Sequence, residues 1–406
     1  MINHESPNTD PKAIPLSVPS IIGNEWKYVK ECLDTEWVSS AGKYVDLFEN
    51  KIAEYTGASH AIACVNGTSA LHVSLRLVGV QPGDEVIVPT LTFIAPINAV
   101  TYNGASPIFM DADEYYNLDI EKTIDFIKKE TKLSNSKSQM TDHESPITIN
   151  KKTGKRIAAV VPVHVFGNAV WLDDLISLCA ERNIPIVEDA SESLGSVYNT
   201  GKYADCHTGT IGKFGCLSFN GNKIITTGGG GIILTNDSIL AERTKYLITQ
   251  AKDDPIYYIH DEIGYNFRLT NIQAALGLAQ LENLPKFLQK KREIFYQYKT
   301  SLEKMDCFAI ASVPSYADNN HWLNVLRIQH NGYSEDIASL MERVAKSGIG
   351  TRPVWYLNHL QRPFKDYYSY KIENATKLIN NSLCIPSSSN LSTLEQQKVI
   401  NSLNQS

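Results

Sequence analysis

Two charged residues of this sequence, Lys223 and Asp189, lie where side chains could take part in chemistry. Lys223 follows a short apolar strand and precedes the glycine run Gly228–Gly231, so a buried turn is expected around it. Asp189 closes the apolar segment Ile184–Asp189 at the carboxyl end of a predicted parallel strand, where ligands bind in open α/β sheets. A lysine amine that forms an imine and a carboxylate that faces a pyridinium nitrogen are the protein groups that pyridoxal phosphate chemistry needs most.

A phosphate site is predicted at the strand-to-helix turn Val65–Ala70. Gly67 allows a ligand to approach closely, and the amides of Thr68 and Ser69 would project from a helix N-terminus, where the macrodipole favours an anion. Ser218, on the strand before the candidate lysine, is a candidate for a further phosphate contact. The turn could also be an N-cap with no ligand, and Ser218 could be a polar residue at a strand end.

The candidate residues also have ordinary structural interpretations. Asp189 could cap a helix at the exit of its strand, and a lone lysine such as Lys223 is usually a solvated surface group. Phe93 follows another strand end and could stack on a pyridine ring, although an aromatic residue in such a place is more often part of the core. The combination of lysine, aspartate and phosphate site, rather than any one residue, indicates the cofactor.

The elements that must position these residues alternate between short apolar runs and amphipathic helices. Continuous Val/Ile-rich strands separated by helices predict a mostly parallel sheet covered on both faces, an α/β fold. The predicted strands are His60–Val65, Glu85–Pro89, Pro107–Met110, Ile157–Val163, Ile184–Val187, Gly215–Phe219 and Gly231–Leu234, and the helices include Ala70–Val78 and Trp171–Glu181. The polar stretch Glu130–Lys155 is expected to be an irregular surface insertion that ends in a turn at Lys151–Lys155.

The C-terminal part of the chain predicts a smaller α+β unit. A long helical pattern begins after Leu269, and Pro285 is expected to kink or interrupt it. Strands are expected near 324–328 and 351–355, a helix over 334–346, and a final helix that opens with the capping box Ser392–Glu395. We therefore expect a large cofactor-binding domain with an N-terminal segment over residues 1–280, and a small C-terminal domain over 281–406.

Composition excludes several classes of function. The chain has 406 residues, of which 43% are hydrophobic and 20% charged, as in soluble globular proteins. The net charge of -6 and the scattered basic residues argue against nucleic-acid binding. No apolar run of about 18 residues predicts a membrane span, and the polar N-terminus does not look like a signal peptide. Seven widely spaced cysteines indicate reduced thiols in a cytoplasmic protein, without a metal site.

Taken together, these segments resemble the sugar aminotransferases of the DegT/DnrJ/EryC1/StrS family, pyridoxal phosphate enzymes of the aspartate-aminotransferase fold, which is fold type I. The resemblance covers nearly the whole chain. It is carried by the motifs Asn66–Leu71, Pro89–Phe93, His164–Gly167, Glu188–Glu192, Ser218–Lys223, Tyr265–Arg268, Gln273–Gly277, Gln280–Glu282 and Gly348–Pro353.

The resemblance implies a role for each candidate. Lys223 corresponds to the lysine that holds pyridoxal 5'-phosphate covalently, Asp189 to the partner of the pyridinium nitrogen, and Phe93 to the stacking residue. The phosphate would be held by Thr68, Ser69 and Ser218 beside Gly67. Asn266 is similar to the family residue that reaches the phosphate of the neighbouring subunit's cofactor, which implies a homodimer with shared active sites.

The sequence departs from the family pattern at two places. Glu192 replaces a common glutamine that donates toward the phenolic oxygen of the cofactor. An ionised glutamate would repel that oxygen, so Glu192 is expected to be protonated or turned to another partner. Gly229 stands where the family usually has a glutamate within the glycine run. Relatives that dehydrate sugars carry a histidine in place of the lysine, so Lys223 argues against that activity.

The substrate is inferred from a finer resemblance. The segment Ile14–Pro19, the insertion near 130–155 and the stretch Trp355–His359 look like the subgroup that acts on UDP-4-keto-6-deoxy-N-acetylglucosamine in bacillosamine- and legionaminic-acid-type pathways. L-glutamate is the amino donor that the resemblance implies. Candidates for the nucleotide-sugar pocket, each of which could equally be structural, are Trp37, Ser40, Arg268, Trp355 and His359.

The sequence therefore favours a transaminase that moves an amino group from L-glutamate to the C4 ketone of a nucleotide-linked 6-deoxy sugar, with the UDP-linked sugar first. GDP- or dTDP-linked 4-keto sugars (perosamine or viosamine type) and a 3-keto sugar are alternatives within this class. A pyridoxal phosphate lyase or dehydratase, and a non-catalytic protein that binds the cofactor, are alternatives outside it. A nucleotide-binding dehydrogenase is disfavoured because no G-x-G-x-x-G follows the first strand.

Overall fold

The computed structural model describes residues 13–134, 146–329 and 333–404, and these ranges contain twelve α-helices and sixteen β-strands. The helices are α1 (Glu25–Asp34), α2 (Lys43–Thr56), α3 (Gly67–Leu77), α4 (Ala95–Tyr102), α5 (Ile120–Glu130), α6 (Asp173–Glu181), α7 (Ser238–Ile248), α8 (Asn271–Glu282), α9 (Leu284–Leu302), α10 (Ile337–Lys346), α11 (Asn374–Asn380) and α12 (Thr393–Leu403). The strands are β1 (His60–Cys64), β2 (Glu85–Pro89), β3 (Ser106–Met110), β4 (Thr131–Ser134), β5 (Ile147–Asn150), β6 (Ile157–Val160), β7 (Val187–Asp189), β8 (Val197–Tyr198), β9 (Phe214–Ser218), β10 (Gly231–Thr235), β11 (Phe308–Ile310), β12 (Ala317–Asp318), β13 (Asn324–Ile328), β14 (Arg352–Pro353), β15 (Ser369–Tyr370) and β16 (Ser382–Ile385).

The central sheet is mostly parallel, as the sequence predicts. One half has the strand order β1-β10-β9-β7 and the other β15-β3-β2-β6, and parallel bridges at Val160 with Ile186 and Val163 with Asp189 join the halves. Within this sheet only β10 is reversed, since it runs antiparallel to both β1 and β9. The carboxyl ends of β1, β2, β7 and β9 therefore meet the amino end of β10 at one edge of the sheet.

Burial on both faces explains why these strands read as continuous apolar runs. Every residue of β2, β6 and β10 is buried, including residues that alternate between the two faces. Helix α3 packs on this sheet through Ala70, Leu71, Val73 and Leu75, all fully buried. The predicted strand Ile184–Val187 begins later than expected, at Val187, and the predicted helix at Trp171 begins at Asp173.

The described part of the insertion near 130–155 is not irregular, which corrects the expectation for these residues. Strands β4 and β5 pair antiparallel within it, and residues 135–145 of the insertion lie outside the described residues. The side chain of Asn150 donates to the buried carboxylate of Glu85, which ties this pair to the central sheet. The strands are hard to recognise in the sequence because the segment is polar, and only every second residue of β5 is fully buried. The predicted turn is present, since the Gly154 amide donates to the Asn150 carbonyl.

The C-terminal residues build a second, smaller sheet with the order β11-β13-β16-β14, entirely antiparallel. Helices α9, α10 and α12 cover it through a core that includes Tyr298, Leu340 and Val399. The predicted interruption is confirmed: α8 ends at Glu282, and Pro285 lies in the first turn of α9, where a missing amide hydrogen leaves no hydrogen bond unmade. The capping box before α12 is also confirmed. The domain boundary at residue 280 stays a prediction.

Within the described ranges, every helix is too short or too polar to cross a lipid bilayer.

Candidate active site

A cavity of about 320 Å³ opens at the edge of the central sheet where the strand ends converge. Eight of the candidate residues line it, namely Gly67, Thr68, Phe93, Asp189, Glu192, Ser218, Lys223 and Trp355. It is also lined by residues that the sequence interpretation did not propose as site residues, among them Asn66, Thr92, Pro96, Ser191, Asn220, Asn222 and Trp322. The strand ends explain this convergence, because the pairing register places Ser218 opposite Gly231 and Gly231 opposite Cys64, directly before the phosphate turn.

One corner of the cavity has the structure of a phosphate site. The N-terminus of α3 opens there at Gly67, and a Cβ atom added to Gly67 would lie only 2.9 Å from Cβ of Ser218 and 3.1 Å from Oγ of Ser191. Two hydroxyl groups therefore stand beside the helix N-terminus, where backbone amides and the macrodipole favour an anion. A Cβ atom on Gly231 would lie 2.6 Å from the Asn66 carbonyl carbon. Only glycine at position 231 therefore allows β10 to pack this closely against the phosphate turn.

The two predicted helix amides differ in their availability. Asn66 is the N-cap of α3, and its side-chain oxygen accepts a hydrogen bond of 2.8 Å from the Ser69 amide. Ser69 is buried and does not line the cavity, so its amide donates to the capping side chain of Asn66 instead of facing a ligand. Thr68 does line the cavity. Asn66 also lines it as a polar residue, although the sequence interpretation did not propose it for the site.

Asp189 ends β7 with its carboxylate at the cavity and only 3% of the residue exposed. Burial raises the pKa of Asp189, while the hydrogen bonds from Ser191 and the charge of Lys223 act in the opposite direction. The Ser191 amide donates to Asp189 Oδ1 at 3.0 Å, which fixes the orientation of the carboxylate. A buried carboxylate of this kind is suited to face a protonated ring nitrogen, because such a partner would offset the desolvation of its charge.

Lys223 enters the cavity from the loop between β9 and β10. Its main-chain amide donates to the Asn220 carbonyl at 3.0 Å, which closes a turn around the lysine. The side-chain nitrogen lies 3.4 Å from Glu192 Oε1 and 4.1 Å from the centroid of the Trp322 ring. The amine is thus held between a carboxyl group and an aromatic face, with 13% of the side chain exposed.

Glu192 is oriented by a strained turn. Phe166 has a φ of 57°, a left-handed conformation that is uncommon for an aromatic residue. In this conformation its amide donates to Glu192 Oε2 at 2.9 Å. Burial raises the pKa of Glu192 to about 7, although the charge of Lys223 and the Phe166 amide favour the ionised form. Glu192 is therefore turned toward Lys223, one of the two arrangements expected from the sequence.

Aromatic side chains form the remaining walls. Phe93 lines the cavity with 54% of its surface exposed, which leaves its ring free to contact a ligand. Trp355 stacks on Phe166 with ring centroids 4.8 Å apart and an interplanar angle of 14°. Trp322 is almost fully buried and donates from its indole nitrogen to the Asn222 carbonyl at 2.7 Å.

The other substrate candidates lie outside this cavity. Trp37 is 59% exposed and borders a separate depression next to Lys43 and Tyr44. His359 stands behind the wall, with Nδ1 2.6 Å from Thr90 Oγ1. Three further candidates lie away from the lining residues: Ser40 and Arg268 are half-buried, and Asn266 is exposed.

The residues that the sequence interpretation missed carry different signals. Ser191 follows Asp189 by two positions within a motif that was already recognised, so its hydroxyl could have been proposed. Trp322 lies just before β13 in the C-terminal part of the chain, and no local pattern connects it with Lys223. Only the packing of the C-terminal unit against the large sheet brings the two together.

The set of side chains fits pyridoxal phosphate. One cavity contains an amine for a covalent link, a buried carboxylate for a ring nitrogen, an exposed aromatic face, and a helix N-terminus flanked by two hydroxyls. In the described ranges, no group of three or more His, Cys, Asp or Glu side chains has the arrangement of a metal site.

Known proteins resemble this chain over nearly its whole length. The model of the DegT/DnrJ/EryC1/StrS aminotransferase family matches residues 19–404. The Bacillus subtilis protein EpsN, named as a pyridoxal phosphate-dependent aminotransferase, is 36% identical over 96% of this chain and 94% of its own. The GDP-perosamine synthase of Caulobacter vibrioides is 34% identical over 98% of this chain and 99% of its own. That of Escherichia coli is 38% identical over 88% of each chain.

A solved structure has the same fold. The DegT DnrJ EryC1 StrS aminotransferase from Brucella abortus superposes on this chain with a TM-score of 0.81, at 26% identity and over 94% of each chain. The fold is the aspartate-aminotransferase-like α/β fold type I. With a family model that spans nearly the whole sequence and a lysine, a carboxylate and a phosphate corner in one cavity, this chain belongs to the DegT/DnrJ/EryC1/StrS aminotransferase family.

Proposed function

We propose that this enzyme transfers an amino group from L-glutamate to the C4 ketone of a nucleotide-linked 4-keto-6-deoxy sugar, and that the sugar is GDP-linked. The observation that carries the proposal is the meeting of Lys223, Asp189 and the phosphate corner in one cavity of an aminotransferase fold. Two relatives that cover most of the chain are GDP-perosamine synthases, which supports the GDP-linked sugar over the UDP-linked sugar favoured by the sequence interpretation.

Each residue of the cavity has a task in this reaction. When bound, pyridoxal phosphate supplies an electron sink for the negative charge that develops at the reacting carbon. Lys223 Nζ holds the cofactor and, once released, accepts and returns the proton of the substrate carbon. Asp189 keeps the ring nitrogen protonated. Thr68, Ser191 and Ser218 fix the phosphate at the N-terminus of α3, so that the reacting atoms stay within reach of Lys223.

The nucleotide-sugar contacts belong to the same proposal. Trp355 is the substrate candidate that lines the cavity, and its stacking on Phe166 presents a flat aromatic face. Trp37, Ser40, Arg268 and His359 do not line the cavity, so a substrate contact of these four residues stays a prediction from the sequence.

A homodimer completes the proposed site. Asn266 is exposed on this chain, as expected of a residue that reaches the phosphate held by a second subunit. Shared sites would make the dimer the active form. The cytoplasmic location expected from the sequence stays a prediction.

The experiment that tests the proposal supplies the cofactor-loaded protein with L-glutamate and one ketosugar at a time, linked to GDP, UDP or dTDP. We expect 2-oxoglutarate and a 4-amino sugar to form fastest with the GDP-linked compound. Turnover confined to the UDP-linked compound would restore the earlier assignment. Release of ammonia without 2-oxoglutarate would identify a lyase instead.

Two lysine variants test the role of Lys223, one at that residue and one as a control. Lys223→Ala should lose the visible band of covalently held cofactor and all turnover, because no other group of the cavity can form the link. Lys213→Ala removes a lysine that pairs with Asp237 at the surface, and it should behave as the natural chain. A K223A protein that retains the band would contradict the assignment of the lysine.

A further inference from the structure

Lys291, on α9, is a buried cation to which the reaction above assigns no task. Only 3% of the residue is exposed, and its Nζ donates to the carbonyls of Trp322, at 2.8 Å, and of Ser387. In the described parts of the chain no carboxylate lies within ion-pair distance of Lys291. Burial accordingly lowers the pKa of Lys291 to about 7. A buried ammonium group without a counter-charge is costly, whereas an apolar side chain would avoid that cost.

The residue that Lys291 holds is the one that covers the catalytic lysine. Trp322 is fixed at three points: its amide donates to Asn320 Oδ1 at 2.9 Å, its carbonyl accepts from Lys291, and its indole nitrogen donates to the Asn222 carbonyl at 2.7 Å. The face of the indole lies 4.1 Å from Nζ of Lys223. Lys291 is thus connected to Lys223 through Trp322 in two ways. The Trp322 ring contacts the amine of Lys223, and the Trp322 indole nitrogen binds Asn222, the residue that precedes Lys223.

We propose that Lys291 is a positioning residue for Lys223, which acts by fixing Trp322. Because Lys291 holds the Trp322 carbonyl, the Trp322 ring stays against the amine of Lys223 and the indole nitrogen stays on the Asn222 carbonyl. The amine of a free lysine moves among many rotamers, and a fixed aromatic face packed against it limits this freedom. The proposal rests on the role of Lys223 described above, but it does not depend on which sugar is the substrate.

A purely architectural role is the alternative. The Ser387 carbonyl follows β16, so Lys291 also ties α9 to the C-terminal sheet. On that account its loss would lower the free energy of unfolding without any specific effect on Lys223. The two roles are separated by the rate at which the cofactor-free protein captures pyridoxal phosphate covalently, followed through the visible absorption band. This rate requires neither sugar nor amino donor, so it remains informative if the proposed substrate is wrong.

The variants form a cycle. Lys291→Met removes the ammonium but keeps an unbranched side chain that is one atom shorter, and Trp322→Leu removes the ring. We expect K291M and W322L each to slow the capture about tenfold, and the double variant to be no slower than W322L alone, because Lys291 acts through Trp322. Lys290→Met is the matched control on the same helix, since Lys290 pairs with Glu293 at the surface and should leave the rate unchanged.

Three results would overturn the proposal: a natural capture rate in folded K291M, a natural rate in W322L, or effects that multiply in the double variant. If K291M does not fold, Lys291→Gln takes its place in the cycle, because its amide keeps a polar group in the site but ends one bond short of the Trp322 carbonyl. A natural rate in W322L would sink the proposal whichever variant of Lys291 is used.

Discussion

The carboxyl group of Glu192 faces the amine of Lys223 inside the cavity, with 3.4 Å between Oε1 and Nζ. Its other oxygen is occupied by the Phe166 amide, so the group cannot turn away without breaking that hydrogen bond. The carboxyl is almost fully buried, which makes its charge costly whenever Lys223 is neutral. We therefore expect the ionisation of Glu192 to affect the pH dependence of folding more than that of any other group described in the site.

The first prediction concerns the pH dependence of folding. Burial raises the pKa of Glu192 to about 7, above the value of about 4.3 for an unfolded glutamate. Between these values the folded protein binds more protons than the unfolded chain, so the contribution of Glu192 to stability is present at low pH and is lost as the pH rises through about 7. We expect Glu192→Gln to gain stability relative to the natural chain over this range, by at most about 4 kcal/mol.

Urea unfolding of the cofactor-free proteins between about pH 4 and about pH 8 measures this difference. The exposed Glu342 provides the control variant, Glu342→Gln, whose difference from the natural chain should not change with pH. A difference between E192Q and the natural chain that is independent of pH would mean that Glu192 titrates alike in both states.

The second prediction separates attachment of the cofactor from its activation. Asp189→Asn keeps the shape of the buried side chain but cannot carry the negative charge that holds a ring nitrogen protonated. We expect the visible band of covalently bound cofactor to persist, while the reaction with L-glutamate alone slows by on the order of a hundredfold or more. Asp174→Asn, on the exposed face of α6, should match the natural chain. Loss of the band in D189N would assign Asp189 to attachment as well.

The third prediction tests the phosphate corner with a pair of ligands. In Gly67→Ala the new Cβ atom would lie 2.9 Å from Cβ of Ser218, so the hydroxyls beside the N-terminus of α3 must shift. We expect G67A to bind pyridoxal phosphate about tenfold or more weakly, but pyridoxal, which lacks the phosphate, as well as the natural chain does. Gly221→Ala is the control, because nothing lies within 4 Å of its added Cβ. Equal losses for both ligands would indicate general distortion.

The fourth prediction tests whether active sites are shared between subunits. Lys223→Ala and Asn266→Ala each inactivate the site in which the missing residue acts. In a mixed dimer, one site would receive Lys223 from one chain and Asn266 from the other, so both residues would be intact there. Mixing the two inactive variants under exchange conditions should restore activity to about a quarter of the natural level, as expected for random pairing of a two-fold dimer. A mixture of two inactive variants that stays inactive would place Asn266 in its own subunit's site, and an N266A protein that is active alone would place Asn266 outside the site.

Most of the candidate residues that line the cavity could be predicted from the sequence, because they lie at the ends of strands with clear apolar patterns. Asp189, Ser218 and Gly67 each follow a continuous apolar run, and parallel strands bring such ends to one edge. The sequence could not show that the Ser69 amide donates to the Asn66 side chain instead of facing the phosphate site. The capping oxygen of Asn66 competes with any ligand for that amide, and capping and ligand binding share one sequence pattern.

The residues that shape the environment of Lys223 could not be predicted, because long-range packing places them. Trp322 arrives from the C-terminal unit, and Phe166 reaches Glu192 only through a left-handed backbone conformation that its residue type disfavours. The pair β4 and β5 was missed for another reason. Most residues of β4 are at least partly exposed, and β5 alternates between partial and complete burial, so composition suggested a loop.

The reversed direction of β10 has a consequence for how the lysine is carried. The parallel neighbours of the central sheet are joined by long crossovers, but β9 and β10 are consecutive and antiparallel, and Ser218 opposite Gly231 closes the base of the loop 219–230. Lys223 therefore lies on the tip of a hairpin, whose contacts are close in sequence and can form before distant strands assemble. The length of this hairpin tip sets the distance between the proposed covalent anchor of the cofactor at Lys223 and the proposed phosphate site at α3. Residues added to or removed from the tip would change that spacing while the pairing register of the sheet stays the same.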